Sequence, residues 1–206
     1  MDVKTAFHVA LRGHPKFSIA EFGTWPRLYE FEAEPNGGTA VIVRPDGFIR
    51  IREKEAGGGL SEHTFFLEVD RSTEVQDILV SRAAAYLDYY KSGGFAVKNG
   101  AQRTAAKDYP FRVLMVFKTA ERRNNIAHRL YANAQPILTQ VYCTTIDELR
   151  AHPLKDIWVR PMDYRDAVQG TAYNNEKRRS QSGYRRSAAR EDFVESKIKK
   201  IELLAN

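Results

Sequence analysis

The spacing of apolar and polar positions changes its period along this chain, and the changes mark out the elements. Within residues 2–13, Val3, Phe7 and Ala10 recur at helical intervals, predicting a first helix that Gly13 stops. Residues 17–22 alternate as a strand does, and residues 28–31 are expected to continue it after Trp25-Pro26. Pro35-Asn36-Gly37-Gly38 has turn chemistry, and residues 39–43 read as a strand. Arg44-Pro45-Asp46-Gly47 then forms a tight hairpin turn into a strand over 48–52. Gly57-Gly58-Gly59 marks a loose tip before a strand over 64–70.

Beyond Asp70 the period becomes helical. Thr73-Glu74-Val75-Gln76 reads as a capping box, followed by a stripe of Val75, Ile78, Leu79, Arg82, Tyr86 and Tyr90 that Gly93-Gly94 ends. Residues 95–109 are expected to be a polar loop. The apolar run 111–117 suits a central strand buried on both faces. A helix over 121–132 follows, with Ile126 and Leu130 inward, then a strand over 137–143, a short helix over 146–150 and a last strand over 157–159. This order implies an α/β fold, a mixed sheet between helices. From Gln169 the composition shifts to Asn, Ser, Gly and Arg, so the chain divides into a core of residues 1–168 and a basic linker or arm of residues 169–206. The arm ends in an amphipathic helix over 190–205, suited to docking on the body, to a protein partner or to homodimer formation.

Charge sharpens this division. Of the net +6, residues 171–206 hold nine Lys or Arg and five Asp or Glu, 9 − 5 = +4, leaving +2 for the rest. A basic tail beside a nearly neutral body favours a polyanionic partner such as DNA. No apolar run is long enough to span a membrane, and the first residues resemble no signal peptide, so a cytoplasmic protein without a membrane partner is expected. The single cysteine, Cys143, excludes an internal disulfide and a cysteine-built zinc site. The five histidines show no zinc-ligand spacing. No Gly-x-Ser-x-Gly elbow and no phosphate-binding Gly-x-x-x-x-Gly-Lys loop occurs.

The chemistry concentrates in two acidic signatures, Pro45-Asp46 and Glu68-Val69-Asp70. Strand alternation puts Phe66, Glu68 and Asp70 on one face and Phe65, Leu67 and Val69 on the other. Two carboxylates sharing one face at the end of an apolar strand require a positive partner. A divalent cation would serve, with Asp46 brought in by the neighbouring turn. A structural arrangement serves equally: Asp46 capping its turn, with Glu68 and Asp70 paired to Arg50, Arg71 or Arg82.

A Pro-Asp turn, a central strand with an acidic end, a helix and a further strand together resemble the core of PD-(D/E)XK nucleases. More narrowly, Pro45-Asp46, the run from Phe66 to Glu74, Tyr86 and the strand Arg112-Val113-Leu114-Met115-Val116 resemble the replication-relaxation family of plasmid and mobile-element proteins. His8 and Trp25 fit its upstream pattern, and the likeness spans roughly residues 5–132. It implies a restriction-endonuclease-like mixed sheet flanked by helices. It also implies a metal-dependent DNA endonuclease or nickase in plasmid or mobile-element replication, with Mg²⁺ or Mn²⁺ held by Asp46, Glu68 and Asp70. Two departures stand out. Family members commonly carry a winged-helix DNA-binding domain ahead of this region, so a truncated relative, a stand-alone variant or a subunit is expected. The nuclease signature also calls for lysine two residues after the central carboxylate, and Asp70 stands there. Arg71, Arg82 and Lys91 are candidates to replace it. Arg82, on the following helix, is preferred, although arginine could clamp a phosphate and not act as a base. The alternative is a catalytically inactive module of the same fold that binds DNA or a partner.

Further basic residues are candidates for nucleic-acid contact: Lys98, Arg103 and Lys107 in the 95–109 segment, and Lys177, Arg178, Arg179, Arg185 and Arg186 around Tyr184 in the arm. Tyr86, Tyr89 and Tyr90 could stack on bases or pack in the core.

Overall fold

Residues 2–24, 29–34, 38–179 and 194–204 are described by a computed structural model, with the backbone alone over 171–179. Helix α1 (Val3–Leu11) starts at Asp2, whose carboxylate accepts from the Thr5 N–H at 2.7 Å. The strands that follow are β1 (Phe17–Thr24), β2 (Phe31–Ala33), β3 (Val41–Val43), β4 (Gly47–Lys54) and β5 (Leu60–Val69). Next come α2 (Gln76–Lys91), α3 (Gly94–Lys98), a kinked 3₁₀ segment (Arg103–Asp108) and β6 (Arg112–Phe117). The described chain closes with α4 (Ala120–Tyr131), β7 (Val141–Thr145), α5 (Ile146–Ala151) and α6 (Pro161–Arg179), then residues 194–204.

Five strands form one mixed sheet in the order β1-β4-β5-β6-β7. β1, β4 and β5 pair antiparallel, while β5, β6 and β7 run parallel. Each parallel join needs a crossover, supplied by α2 with α3 and then by α4. The alternation along β5 appears as two separate cores. Phe66 packs with Phe48, Tyr86, Phe111 and Ile126 on the α2–α4 face, while Phe65 and Leu67 pack with Phe7, Ile49, Leu149 and Trp158 on the α1–α5 face. β6 is buried on both faces, as its apolar run requires. No described helix is long and apolar enough to cross a membrane.

Several local expectations are corrected. β2 does not extend β1; it pairs with β3 in a separate two-stranded ribbon, and Leu28 lies outside the described residues. Arg44-Pro45-Asp46 is therefore no hairpin turn but the crossing from that ribbon to the main sheet. Pro35, Asn36 and Gly37 lie outside the described residues. The Thr73–Gln76 capping box does not form: α2 starts at Gln76 after Val75, with no side-chain cap. The preceding segment is folded around Asp70, which accepts from Ser72 N–H at 3.0 Å, and Ser72 takes a left-handed φ of 65°. Val75 and Ile78 are exposed, and α2 instead buries Leu79, Ala83, Ala85, Tyr86 and Tyr89.

The 95–109 segment is not a loop. Gly93, at φ 71°, turns the chain into α3, which buries Phe95 and Ala96. β7 starts at Val141 rather than Ile137, and residues 157–159 contribute isolated bridges only, Cys143 to Val159 and Trp158 to Ile201. The backbone is helical through residues 169–179, where Ala, Gln, Glu, Lys and Arg favour a helix despite the polar composition. Residues 194–204 dock on the body, but not as a helix. After one turn the segment is extended, because Ile201 pairs through its backbone with Trp158 while Leu203 and Leu204 bury themselves. Arg123 in α4, wholly buried, ties this segment down by donating to Glu195 at 2.5 and 2.6 Å and to Glu148 at 3.2 Å.

Candidate functional site

The end of β5 carries Glu68 and Asp70, and the crossing before β4 delivers Asp46 to it. One Asp46 carboxylate oxygen accepts from the Val69 N–H at 2.7 Å. Glu68 and Asp70 both lie on the α2–α4 side, and both are buried, 2 % and 7 % exposed. Neither is left without a partner. Arg82 of α2 donates to Glu68 at 2.7 Å and to the Glu74 carboxylate at 2.9 Å. The Tyr86 hydroxyl, one turn further along α2, donates to the other Glu68 oxygen at 2.5 Å. Arg122, in the first turn of α4, grips Asp70 through Nε and, at 3.0 Å, through Nη2; it also donates to the Glu74 carbonyl at 2.6 Å.

Burial dominates the electrostatics of Glu68, pushing its carboxyl up to about 7 against the opposing pull of Arg82 and the Tyr86 hydrogen bond. Desolvation, then the Glu68 charge, raises the Tyr86 phenol well above its ordinary value. Desolvation of Arg82 is outweighed by Glu68 and Glu74, which hold it firmly charged. The hydrogen bond to Asp70 does the same for Arg122. The residues around β5 thus form a closed charge network, two guanidiniums among Glu68, Asp70 and Glu74.

A replication-relaxation family model matches residues 2–103. The match takes in Asp46, Glu68, Asp70, Arg82 and Tyr86, and stops short of α4 and Arg122. It covers just under half of the chain, which is similar to that family over this part. Neither the curated proteins nor the solved structures contain a match.

The donor set does not suit a divalent cation as it stands. Glu68 spends one oxygen on Arg82 and the other on Tyr86, Asp70 spends both on Arg122, and Asp46 spends one on a backbone N–H. Among the described residues, no three His, Cys, Asp or Glu side chains come together in a metal-holding arrangement. Of the three cations that could stand in for the signature lysine, Arg82 reaches Glu68, whereas Arg71 and Lys91 are exposed.

Arg122 is a site residue that the sequence motifs do not include. Its position at the start of a helix, just after a strand parallel to β5, was the available signal. Tyr86 and Tyr89 are buried packing residues, and Tyr90 lies edge-on to Phe111. Lys98, Arg103 and Lys107 are exposed on α3 and the 3₁₀ segment, with no bond to the carboxylates; Arg103 donates to the Ser92 carbonyl at 3.1 Å. Lys177, Arg178 and Arg179 lie in α6, in the stretch described by backbone alone, and Tyr184, Arg185 and Arg186 lie outside the described residues.

Proposed function

We propose that the chain is a DNA-binding module of plasmid or mobile-element replication, built on a nuclease-like core but not hydrolysing DNA. The order α1, β1, β4, β5, α2, β6, with three antiparallel strands and then a parallel one, supports the PD-(D/E)XK-like core. So do its Asp46 before β4 and Glu68 at the end of β5. The match to the replication-relaxation family supports the setting and the nucleic-acid partner. The net charge of +6 is of the right sign for a phosphate backbone.

One observation carries the absence of hydrolysis: the two buried carboxylates that a metal would need are already neutralised by Arg82 and Arg122. Removing either guanidinium in favour of a cation would strand an arginine against the remaining charges and break the links to Glu74.

Incubation of supercoiled plasmid with wild type and Glu68→Ala, over a titration of Mg²⁺ and Mn²⁺, tests this reading. The expected result is no metal-dependent nicking by either protein, with salt-sensitive DNA binding by both. Relaxation by wild type that disappears in Glu68→Ala would establish the metal-dependent endonuclease or nickase instead, with Asp46, Glu68, Asp70 and Arg82 as its machinery.

A further inference from the structure

The α2–α4 face of the sheet is not covered along its whole length. Phe48 lies under the helices, but Arg50, Arg52 and Lys54 follow it at alternate positions of β4 and lead out into solvent. Alternate residues of a strand stand about 6.8 Å apart, a spacing comparable to that of successive phosphates along an extended strand. Beside this row, Tyr29 stacks on Phe48 with ring centroids 5.0 Å apart and planes inclined by 16°. The Tyr29 hydroxyl is fixed by Tyr89 at 3.2 Å, and Lys98 of α3 sits 5.6 Å above the Tyr29 ring. Arg50 lies 5.4 Å over Phe48. The patch is therefore a rigid aromatic platform bordered by four cations.

Those cations are loosely held. The Nε of Arg50 is shielded from solvent yet donates no hydrogen bond, and the nearest Glu62 oxygen is 3.6 Å away. Its Nη2 makes one long contact, 3.4 Å to the Asn99 side chain. Arg52 pairs with Glu62 at 2.9 Å, but both side chains are exposed, 53 % and 38 %, and such a pair contributes little. Glu21 lies opposite Arg50 in the β1–β4 register, so Glu21 and Glu62 are acidic neighbours of the patch.

We infer that this patch is a contact for single-stranded nucleic acid. Arg50, Arg52 and Lys98 take backbone phosphates, and the Tyr29 ring receives an unpaired base when the flexible Lys98 head moves from it to a phosphate. The inference rests on the DNA-binding reading above and assigns that binding a place away from the carboxylates.

Fluorescence anisotropy with a labelled single-stranded 20-mer and its duplex tests it, using wild type, Arg50→Gln/Arg52→Gln/Lys98→Gln and the single variant Lys98→Glu. Lys155→Gln, beyond α5 on the other side of the sheet, is the control, and circular dichroism confirms folding. Wild type should favour the single strand. The triple variant should bind it at least tenfold more weakly at 100 mM salt. Its log–log salt slope should fall by about 2, at ~0.7 for each of three phosphates. Lys98→Glu should weaken binding several-fold, and Lys155→Gln should match wild type. Wild-type binding that both patch variants retain with an unchanged slope would overturn the patch and leave the DNA-binding reading standing. A wild type that binds neither oligonucleotide would overturn both.

Discussion

Substituting Glu68 by Gln isolates a buried carboxyl that is strongly perturbed. Glu68 is 2 % exposed, and burial raises its carboxyl from 4.5 to about 7. In the unfolded chain the group loses its proton near 4.5, while in the folded protein it keeps the proton until about 7. Across that window the native state binds more protons than the unfolded one, so stability falls as pH rises, and it levels off above the folded value. The shift of 7 − 4.5 corresponds to about 3 kcal/mol, at ~1.4 kcal/mol for each unit. Gln keeps the shape and an acceptor for Arg82 but cannot titrate. Urea unfolding of wild type and Glu68→Gln, compared in EDTA at intervals from pH 5 to pH 8, reads the effect directly. Glu53, Glu148 and Glu195, whose carboxyls are lowered by their partners, contribute equally to both proteins and cancel in the difference. Wild type should lose roughly 2–3 kcal/mol of that relative to the variant over this range, because pH 5 already lies above the unfolded value, and most of the loss falls before pH 7.5. A difference that stays constant with pH would refute the argument, showing that Arg82 and Tyr86 compensate the burial in full.

Arg122→Ala should lower stability by about 3 kcal/mol in urea unfolding, because it leaves Asp70 buried without its cation. It should also speed proteolytic cleavage within residues 71–75, which lose their link through Glu74; unchanged cleavage would mean that other contacts hold this segment. Gly93→Ala combines a φ of 71° with a Cβ placed 2.3 Å from the Arg103 carbonyl oxygen, so thermal denaturation should show a loss above ~1 kcal/mol. Glu195→Ala removes the closest partner of the buried Arg123, and hydrogen exchange of the Trp158 and Ile201 amides should rise as residues 194–204 loosen. Exchange as slow as in wild type would place the docking energy in Leu203 and Leu204 instead.

The framework of the fold was readable because its signals are local and strongly periodic. The split of β5 into a Phe66–Glu68–Asp70 face and a Phe65–Leu67–Val69 face follows from strand geometry, and two separate cores confirm it. The apolar run in β6 announced a strand buried on both sides. What failed was decided by tertiary partners. The β2–β3 ribbon replaces an extended β1 because Phe31 finds Tyr89 and Tyr86 of α2, a contact 55 or more residues away in sequence. Thr73 lost its cap because Asp70 captured the neighbouring backbone first. The final segment has helical spacing, yet pairing of Ile201 with Trp158 draws it out straight. At the carboxylates, the acidic residues and Arg82 were legible, while Arg122 arrives from 52 residues beyond Asp70, marked only by its place at a helix start after a central strand.

Asp70 is the residue through which these contacts become interdependent. A lysine at that position would itself offset the charge of Glu68. An aspartate instead adds a second buried negative charge, which the fold must neutralise from elsewhere. It does so with one arginine from α2 and one from α4, and both guanidiniums also take an oxygen of Glu74. The segment between β5 and α2 is thereby tied to two helices through the very charges that a metal would otherwise bind. A lysine placed at position 70 alone would stand against Arg122, so the two positions are coupled and a metal-holding arrangement would require both to change. The sealed carboxylates join the sheet end to its covering helices, and on the proposed reading the exposed cations of β4 and α3 are the surface for nucleic acid.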